Sequence, residues 1–218
     1  MSGTIITVAQ QKGGAGKTTL VAHLAVSLMQ RGLSVALVDI DPQASLSYWY
    51  DARQESFGDE ETGLTHSKIS GWRTQREVEE LAASHDVVLI DSAPHAEMET
   101  KTAIRAASLV VIPVQPSPMD FWATQPTLDL AKSEKVTPML ALNRVPPRAV
   151  LSEVIEGKLK KLDAKVAKAR LGNRVGLAAA VLDGKTVSET QRSSVGAKEV
   201  KALAAEIYKA AGGAKRLK

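Results

Sequence analysis

The stretch Lys12-Gly13-Gly14-Ala15-Gly16-Lys17-Thr18-Thr19 follows directly on the apolar run Ile5-Ile6-Thr7-Val8. A strand, a glycine-rich turn and a helix opening at Thr18 bring backbone N–H groups and a helix N-terminus to one point, where a polyphosphate can be wrapped. Glycine suits such a loop because a side chain would hold the backbone away from the phosphate oxygens. Lys17 supplies a point charge for the β and γ phosphates, and Thr18 a hydroxyl ligand for Mg²⁺. The plainer alternative is a strand-to-helix turn with two solvated lysines. The flanking strand and helix patterns favour the phosphate loop.

Three more segments carry chemistry. Asp39-Ile40-Asp41-Pro42-Gln43 sets two carboxylates at i and i+2 at a strand end, so they project the same way. They suit a Mg²⁺ shell and a water, or equally a turn before proline. Val87-Val88-Leu89-Ile90-Asp91-Ser92-Ala93-Pro94 ends four apolar residues in an aspartate. Asn143 closes the run Leu140-Ala141-Leu142. Its amide offers a donor and an acceptor for an adenine edge, or caps an ordinary turn.

These residues need strands that end together. Apolar runs at Ile5–Val8, Val35–Asp39, Val87–Asp91, Leu109–Val114 and Pro138–Leu142 read as strands. Helical patterns lie between and beyond them, near 18–31, 75–84, 97–107, 121–134, 151–170 and 196–211. The first puts Leu20, Leu24 and Leu28 on one face. Strands that read as continuous apolar runs and alternate with helices predict an α/β fold, a mostly parallel doubly wound sheet covered on both faces. Ligands then bind at the carboxyl ends of the strands, where the motifs fall. Residues 51–73, acidic around Asp59-Glu60-Glu61, read as a surface excursion, and 212–218 as a frayed tail.

The 218 residues predict one domain, 1–218, with the site motifs in 8–145. The absence of cysteine excludes disulfides, thiolate metal sites and cysteine-held iron–sulfur clusters. No apolar run approaches a membrane span, and no basic leader precedes the first strand, so a cytoplasmic protein without stable membrane insertion is expected. The histidines His23, His66, His85 and His95 share no metal-ligand spacing. Trp49, Trp72 and Trp122 read as core or interface anchors.

The net charge of +4 is unevenly spread. Residues 1–143 carry 11 Lys/Arg against 17 Asp/Glu, and residues 144–218 carry 17 against 7. A basic last third, 146–218, on an acidic body suits a polyanion, nucleic acid or anionic lipid, or simply soluble helix faces. In the helix expected over 151–170, Leu151, Val154, Ile155, Leu159, Leu162 and Val166 share a face. Lys158, Lys160, Lys161, Lys165, Lys168 and Arg170 flank or oppose it, and Arg174 follows. Such cations meet DNA phosphates without reading bases.

The phosphate loop departs from G-x-x-x-x-G-K-[ST], with Gln11 at the first glycine and Lys12 before the others. It resembles the deviant Walker A motif of the ParA/MinD class of P-loop ATPases, in which a signature lysine precedes the glycines. Asp39-Ile40-Asp41-Pro42-Gln43 is similar to that family's D-x-D-P-Q switch segment, and Val87–Asp91 to a Walker B strand. The resemblance covers roughly residues 3–145. It implies ATP and Mg²⁺ held by Gly13, Gly14, Ala15, Gly16, Lys17, Thr18, Thr19 and Asn143. It places Thr18, Asp39 and Asp91 around the metal, and makes Lys12, Lys17 and Asp41 the hydrolytic group. Lys12 would reach the partner's nucleotide in an ATP sandwich homodimer, and Asp41 would orient water. The segment Pro113–Trp122 would join the nucleotide site to the dimer face.

The implied function is a slow ATPase, stimulated by a ParB-like protein or cargo adaptor. It would be nucleoid-associated through non-specific double-stranded DNA binding, and would segregate or position a plasmid, a chromosome or a protein cargo. Lys160, Lys161, Lys165, Lys168, Arg170 and Arg174 are the expected DNA contacts. With no DNA-reading extension before the loop, a short, minimal form is expected. A MinD-like membrane-cycling ATPase is the alternative, although the segment Val200–Lys209 reads as an alanine-rich packing helix rather than a membrane-binding one.

Overall fold

In the computed structural model, residues 2–58, 62–69, 73–94 and 97–213 are described. Asp59-Glu60-Glu61, Trp72, His95 and the end of the tail lie outside them. Among the described residues seven strands form one sheet: β1 (Thr4–Val8), β2 (Val35–Asp39), β3 (Thr65–Lys68), β4 (Val87–Asp91), β5 (Leu109–Val114), β6 (Pro138–Leu142) and β7 (Lys165–Val166). Their order is β3-β2-β4-β1-β5-β6-β7, and every pairing is parallel. The helices are α1 (Lys17–Met29), α2 (Ser45–Phe57), α3 (Thr74–Ser84), α4 (Glu97–Ala106), α5 (Pro118–Ser133), α6 (Val150–Leu159), α7 (Val175–Val181), α8 (Val187–Thr190) and α9 (Val195–Ala210).

Alternation along each strand divides the core into two layers. Ile6, Val8, Leu37, Leu89, Val111 and Met139 face one side, packed with α1, α2 and α9. Val110, Ile112 and Leu140 face the other side with α5 and α6, and Val38, Val88 and Ile90 do so with α3. Ten of the thirteen residues of α1 are buried. It is therefore a central helix enclosed on most of its circumference, not the one-faced amphipath that Leu20, Leu24 and Leu28 suggest.

Two further local expectations are corrected. Residues 51–73 are not an excursion throughout: 51–57 complete α2, and 65–68 form the edge strand β3, in register with β2 from Ala36↔Thr65 to Asp39↔Lys68. The helix expected over 151–170 stops at Leu159. The chain turns through Lys160–Ala164 and enters β7, where Lys165 and Val166 pair with Met139 and Leu140. That pairing satisfies backbone groups at the sheet edge, so tertiary context overrides helix propensity. In α6 itself Ser152, Ile155 and Leu159 are buried, while Leu151 and Val154 are about half exposed.

Candidate nucleotide site

The strand order reverses around β1, whose end meets the ends of β4 and β2. Val8 pairs with Asp91, and Asp91 with Asp39. The loop 12–19 leaves β1 at this crevice, the usual ligand position in an open α/β sheet. Gly14 and Gly16 have φ of +75° and +86°, and a Cβ on Gly16 would lie 2.7 Å from Asn143 Nδ2. A Cβ on Gly13 or Gly14 would meet nothing within 4 Å, so these positions border open space at the loop's mouth. Gly16 caps α1.

Lys17 is buried at the first turn of α1. Burial pushes its ammonium below the usual range, opposed by the attraction of Asp91 and Asp41. Thr18 Oγ1 donates to Asp91 Oδ2 at 2.6 Å. Asp91 is fully buried and, among the described residues, its Oδ1 has no hydrogen-bond partner. Desolvation, only partly offset by the Thr18 hydrogen bond, pushes its carboxyl up to about 7. Cation, hydroxyl and orphaned carboxylate oxygen together fit a Mg²⁺-bearing phosphate: Thr18 Oγ1 offers a metal ligand, and Asp91 the buried negative charge beside it.

Asp39 and Asp41 do different work. Asp39 Oδ2 accepts from Ser47 N (2.9 Å) and Ser47 Oγ (2.8 Å), and Oδ1 from Asp41 N (3.0 Å). It thereby fixes both the segment that carries Asp41 and the start of α2. Asp41 Oδ1 accepts from Gln43 N, and the side chain is turned within electrostatic reach of Lys17. Asn143 spends Nδ2 on Ala15 O (2.9 Å) and accepts from Arg144 N, so it fastens the phosphate loop. It also borders a cavity of about 500 Å³, with Thr19, Leu20, His23 and the strap Leu171–Arg174. His23 is buried there, its Nε2 3.0 Å from Leu177 O.

Lys12 Nζ lies 2.6 Å from Asp120 Oδ2, on the first turn of α5. Asp120 is buried and bonded to the α5 cap Ser117, and among the described residues its Oδ1 is unpartnered. Gln115 Nε2 donates to Gly14 O at 2.9 Å. Within Pro113–Trp122, Gln115 and Asp120 tie the segment to the phosphate loop. Trp49 is core, whereas Trp122 is exposed.

The six expected DNA contacts do not form one helical row, because α6 ends before five of them, at its C-cap Lys160. Lys160 and Arg170 both pair with Glu156, and Arg174 pairs with Glu199 beside the 500 Å³ cavity. Lys161, Lys165 and Lys168 are exposed. A second set escaped sequence reasoning. Arg31, Arg192 and Lys201 surround a groove of about 420 Å³ between α1, α8 and α9, with Ser27 and Ser188. Among the described residues none of these three cations forms an ion pair. Arg31 Nε is buried without a partner. No local run announces the groove, because its cations come from distant segments.

Residues 6–212 match the family described as the CobQ/CobB/MinD/ParA nucleotide binding domain. The chain is 30% identical to the maintenance of carboxysome distribution protein A of Halothiobacillus neapolitanus, over 84% of this chain and 85% of that protein. In fold it is similar to the ATP complex of a Cyanothece McdA variant, with a TM-score of 0.81 at 16% identity, covering 100% of this chain and 99% of that one. It is also similar to the septum site-determining protein MinD of Pyrococcus horikoshii complexed with Mg-ADP, with a TM-score of 0.79 at 21% identity, covering 98% and 99%. Identities this low establish the fold alone.

Proposed function

The chain belongs to the CobQ/CobB/MinD/ParA nucleotide-binding family, and from that premise we propose that it is a ParA-type positioning ATPase. Its ATP-bound homodimer binds duplex DNA without sequence preference, and a partner protein stimulates hydrolysis to release it and move a plasmid, chromosome or protein cargo. The reading is nucleoid-based, and DNA contact comes from the basic last third.

The observation that carries this reading is the pair of lysines on one loop. Lys17 is buried among Asp91 and Asp41, whereas Lys12 stands at the rim, 38% exposed and paired with Asp120. Lys17 neutralises phosphate charge inside the chain. Lys12, exchanging Asp120 for a γ-phosphate, would complete the partner's site, which makes dimerisation depend on the nucleotide. Mg²⁺, when bound, would supply neutralisation of the charge on the transferring phosphoryl group. Thr18 would hold the metal and Asp91 would orient Thr18 through their hydrogen bond, with Asp39 fixing the segment around them. Asp41 orients the attacking water. Gly13, Gly14, Ala15, Gly16 and Thr19 present backbone to the phosphates, and Asn143 holds that backbone in place. Catalysis by positioning alone is slow, which suits a timer.

The test is binding to random-sequence duplex DNA and to anionic liposomes, each with ADP, ATP or no nucleotide. ATP-dependent DNA binding that weakens as salt rises is expected. Liposome binding without DNA binding would replace this reading with the membrane-cycling one. The apolar residues of α9 work against that outcome, since Val200, Leu203, Ala204 and Ile207 are in the core. Charge reversal of Lys160, Lys161, Lys165 and Lys168, compared with reversal of Arg192 and Lys201, then locates the surface.

A further inference from the structure

The strap Leu171–Arg174 forms one wall of the cavity that opens beside Asn143 and the first turns of α1. One edge of the strap is sewn to the end of β6: Leu171 N donates to Leu142 O, Val145 N to Leu171 O, and Asn173 N to Val145 O, all within 3.0 Å. Its other edge rests on α9. Glu199 Oε2 accepts from Gly172 N (3.0 Å) and from Arg174 Nε (2.9 Å), and Oε1 accepts from Arg174 Nη2 (2.6 Å). The Arg174 guanidinium lies so close over Gly172 that a Cβ there would be 3.0 Å from Nε. Two turns along α9, Glu206 accepts from Lys168 N and Ala169 N, anchoring the approach to the strap.

We propose that Glu199 is a positioning residue for the base-binding end of the nucleotide site. The inference rests on the nucleotide reading above. The cavity continues from the phosphate loop at Gly16 and Thr19, so a purine attached to phosphates in that loop meets the strap and Asn143 together. The cavity is lined by the strap, and Glu199 acts on the strap from the side of α9. Glu199 sets the path of residues 171–174 by a bidentate, charge-assisted contact with Arg174 and a backbone bond at Gly172. Because α9 is fixed in the core through Val200, Leu203 and Ile207, this carboxylate transfers the rigidity of the core to the wall. Arg174 is accordingly a brace rather than a free cation.

The experiment measures binding of Mg²⁺·ATP and of inorganic tripolyphosphate by calorimetry to the wild type, Glu199→Ala and Glu199→Gln, with melting temperatures recorded. Tripolyphosphate uses the loop alone, so a base-wall role separates the two ligands. Glu199→Ala is expected to weaken ATP about tenfold, the scale of one lost charged hydrogen bond. Tripolyphosphate affinity should stay within about twofold in the same variant. Glu199→Gln keeps an acceptor for Gly172 N–H and should restore part of the ATP affinity without changing that for tripolyphosphate. Equal loss for both ligands, or no loss for either, overturns the positioning role. A wild type that binds ATP no better than tripolyphosphate overturns the base wall but keeps the phosphate loop. Failure of the wild type to bind either ligand overturns the nucleotide reading itself.

Discussion

Replacing Asp91 by Asn should stabilise the nucleotide-free chain at alkaline pH while damaging its response to Mg²⁺·ATP. In the fold this carboxyl is pushed from 3.8 up to about 7, chiefly by desolvation. Between those values the folded state binds more protons than the unfolded one, so stability falls as pH rises. The penalty is absent below the unfolded value and complete above about 7. A shift of roughly three units at ~1.4 kcal/mol each makes ionised Asp91 cost about 4 kcal/mol. Asn escapes that penalty and still offers Oδ1 to Thr18. It also places an amide where Asp91 Oδ1 has no partner, at a cost of about 1–3 kcal/mol, and it removes the chief attraction on Lys17. The net expectation is a gain of about 1–3 kcal/mol at pH 8 that shrinks to nothing or reverses by pH 5. Urea unfolding at four pH values, followed by the fluorescence of buried Trp49, measures it. A stability difference that does not change with pH would refute the reasoning. With Mg²⁺·ATP present the wild type should gain stability by mass action and the variant much less.

Three further substitutions test the site. Lys17→Ala should lower ATP affinity at least ~100-fold, as expected when buried phosphate charge loses its cation; retained affinity in calorimetry would remove Lys17 from the site. Asp41→Ala should leave ATP-dependent dimers intact and reduce turnover by about 100-fold or more, and unaltered phosphate release would count against its role. Asp120→Ala frees Lys12, so ATP-dependent dimers should form at lower protein concentration in sedimentation, while unfolding stability drops by only about 1 kcal/mol because Lys12 is partly solvated. An unchanged dimerisation midpoint would mean that Asp120 does not compete for Lys12.

The centre of the fold was legible because the strands there are buried on both faces. Ile5–Val8, Val35–Asp39, Val87–Asp91, Leu109–Val114 and Pro138–Leu142 are apolar runs too short for a helix and without the polar alternation of a half-exposed strand, and the structure places all five in the sheet. What stayed hidden depends on remote partners. The start of α2 carries no capping side chain of its own, since its N-cap is Ala44. The group that binds its first turn is Asp39, eight residues upstream at the end of β2. A local capping pattern cannot show that. The strand β3 is Thr-His-Ser-Lys, a polar edge whose pairing comes wholly from β2, and the two-residue β7 exists only because β6 offers it a ladder.

The same distinction governs the charges. The basic excess of the last third survives ion pairing, because it is a net count of cations over acids and sets the long-range field. Where a polyanion can touch is a separate matter, decided by which cations keep uncommitted N–H groups. Glu156 draws in Lys160 and Arg170, and Glu199 locks Arg174 over Gly172. A phosphate approaching these three must compete with a carboxylate already in place. Arg31, Arg192 and Lys201 present no such competitor among the described residues, and Arg31 has its guanidinium pushed down by burial alone. A desolvated cation without a counter-ion is the group that gains most from an arriving anion. Its position was unreadable for a simple reason: residues 31, 192 and 201 are neighbours only after α1 has packed against α9.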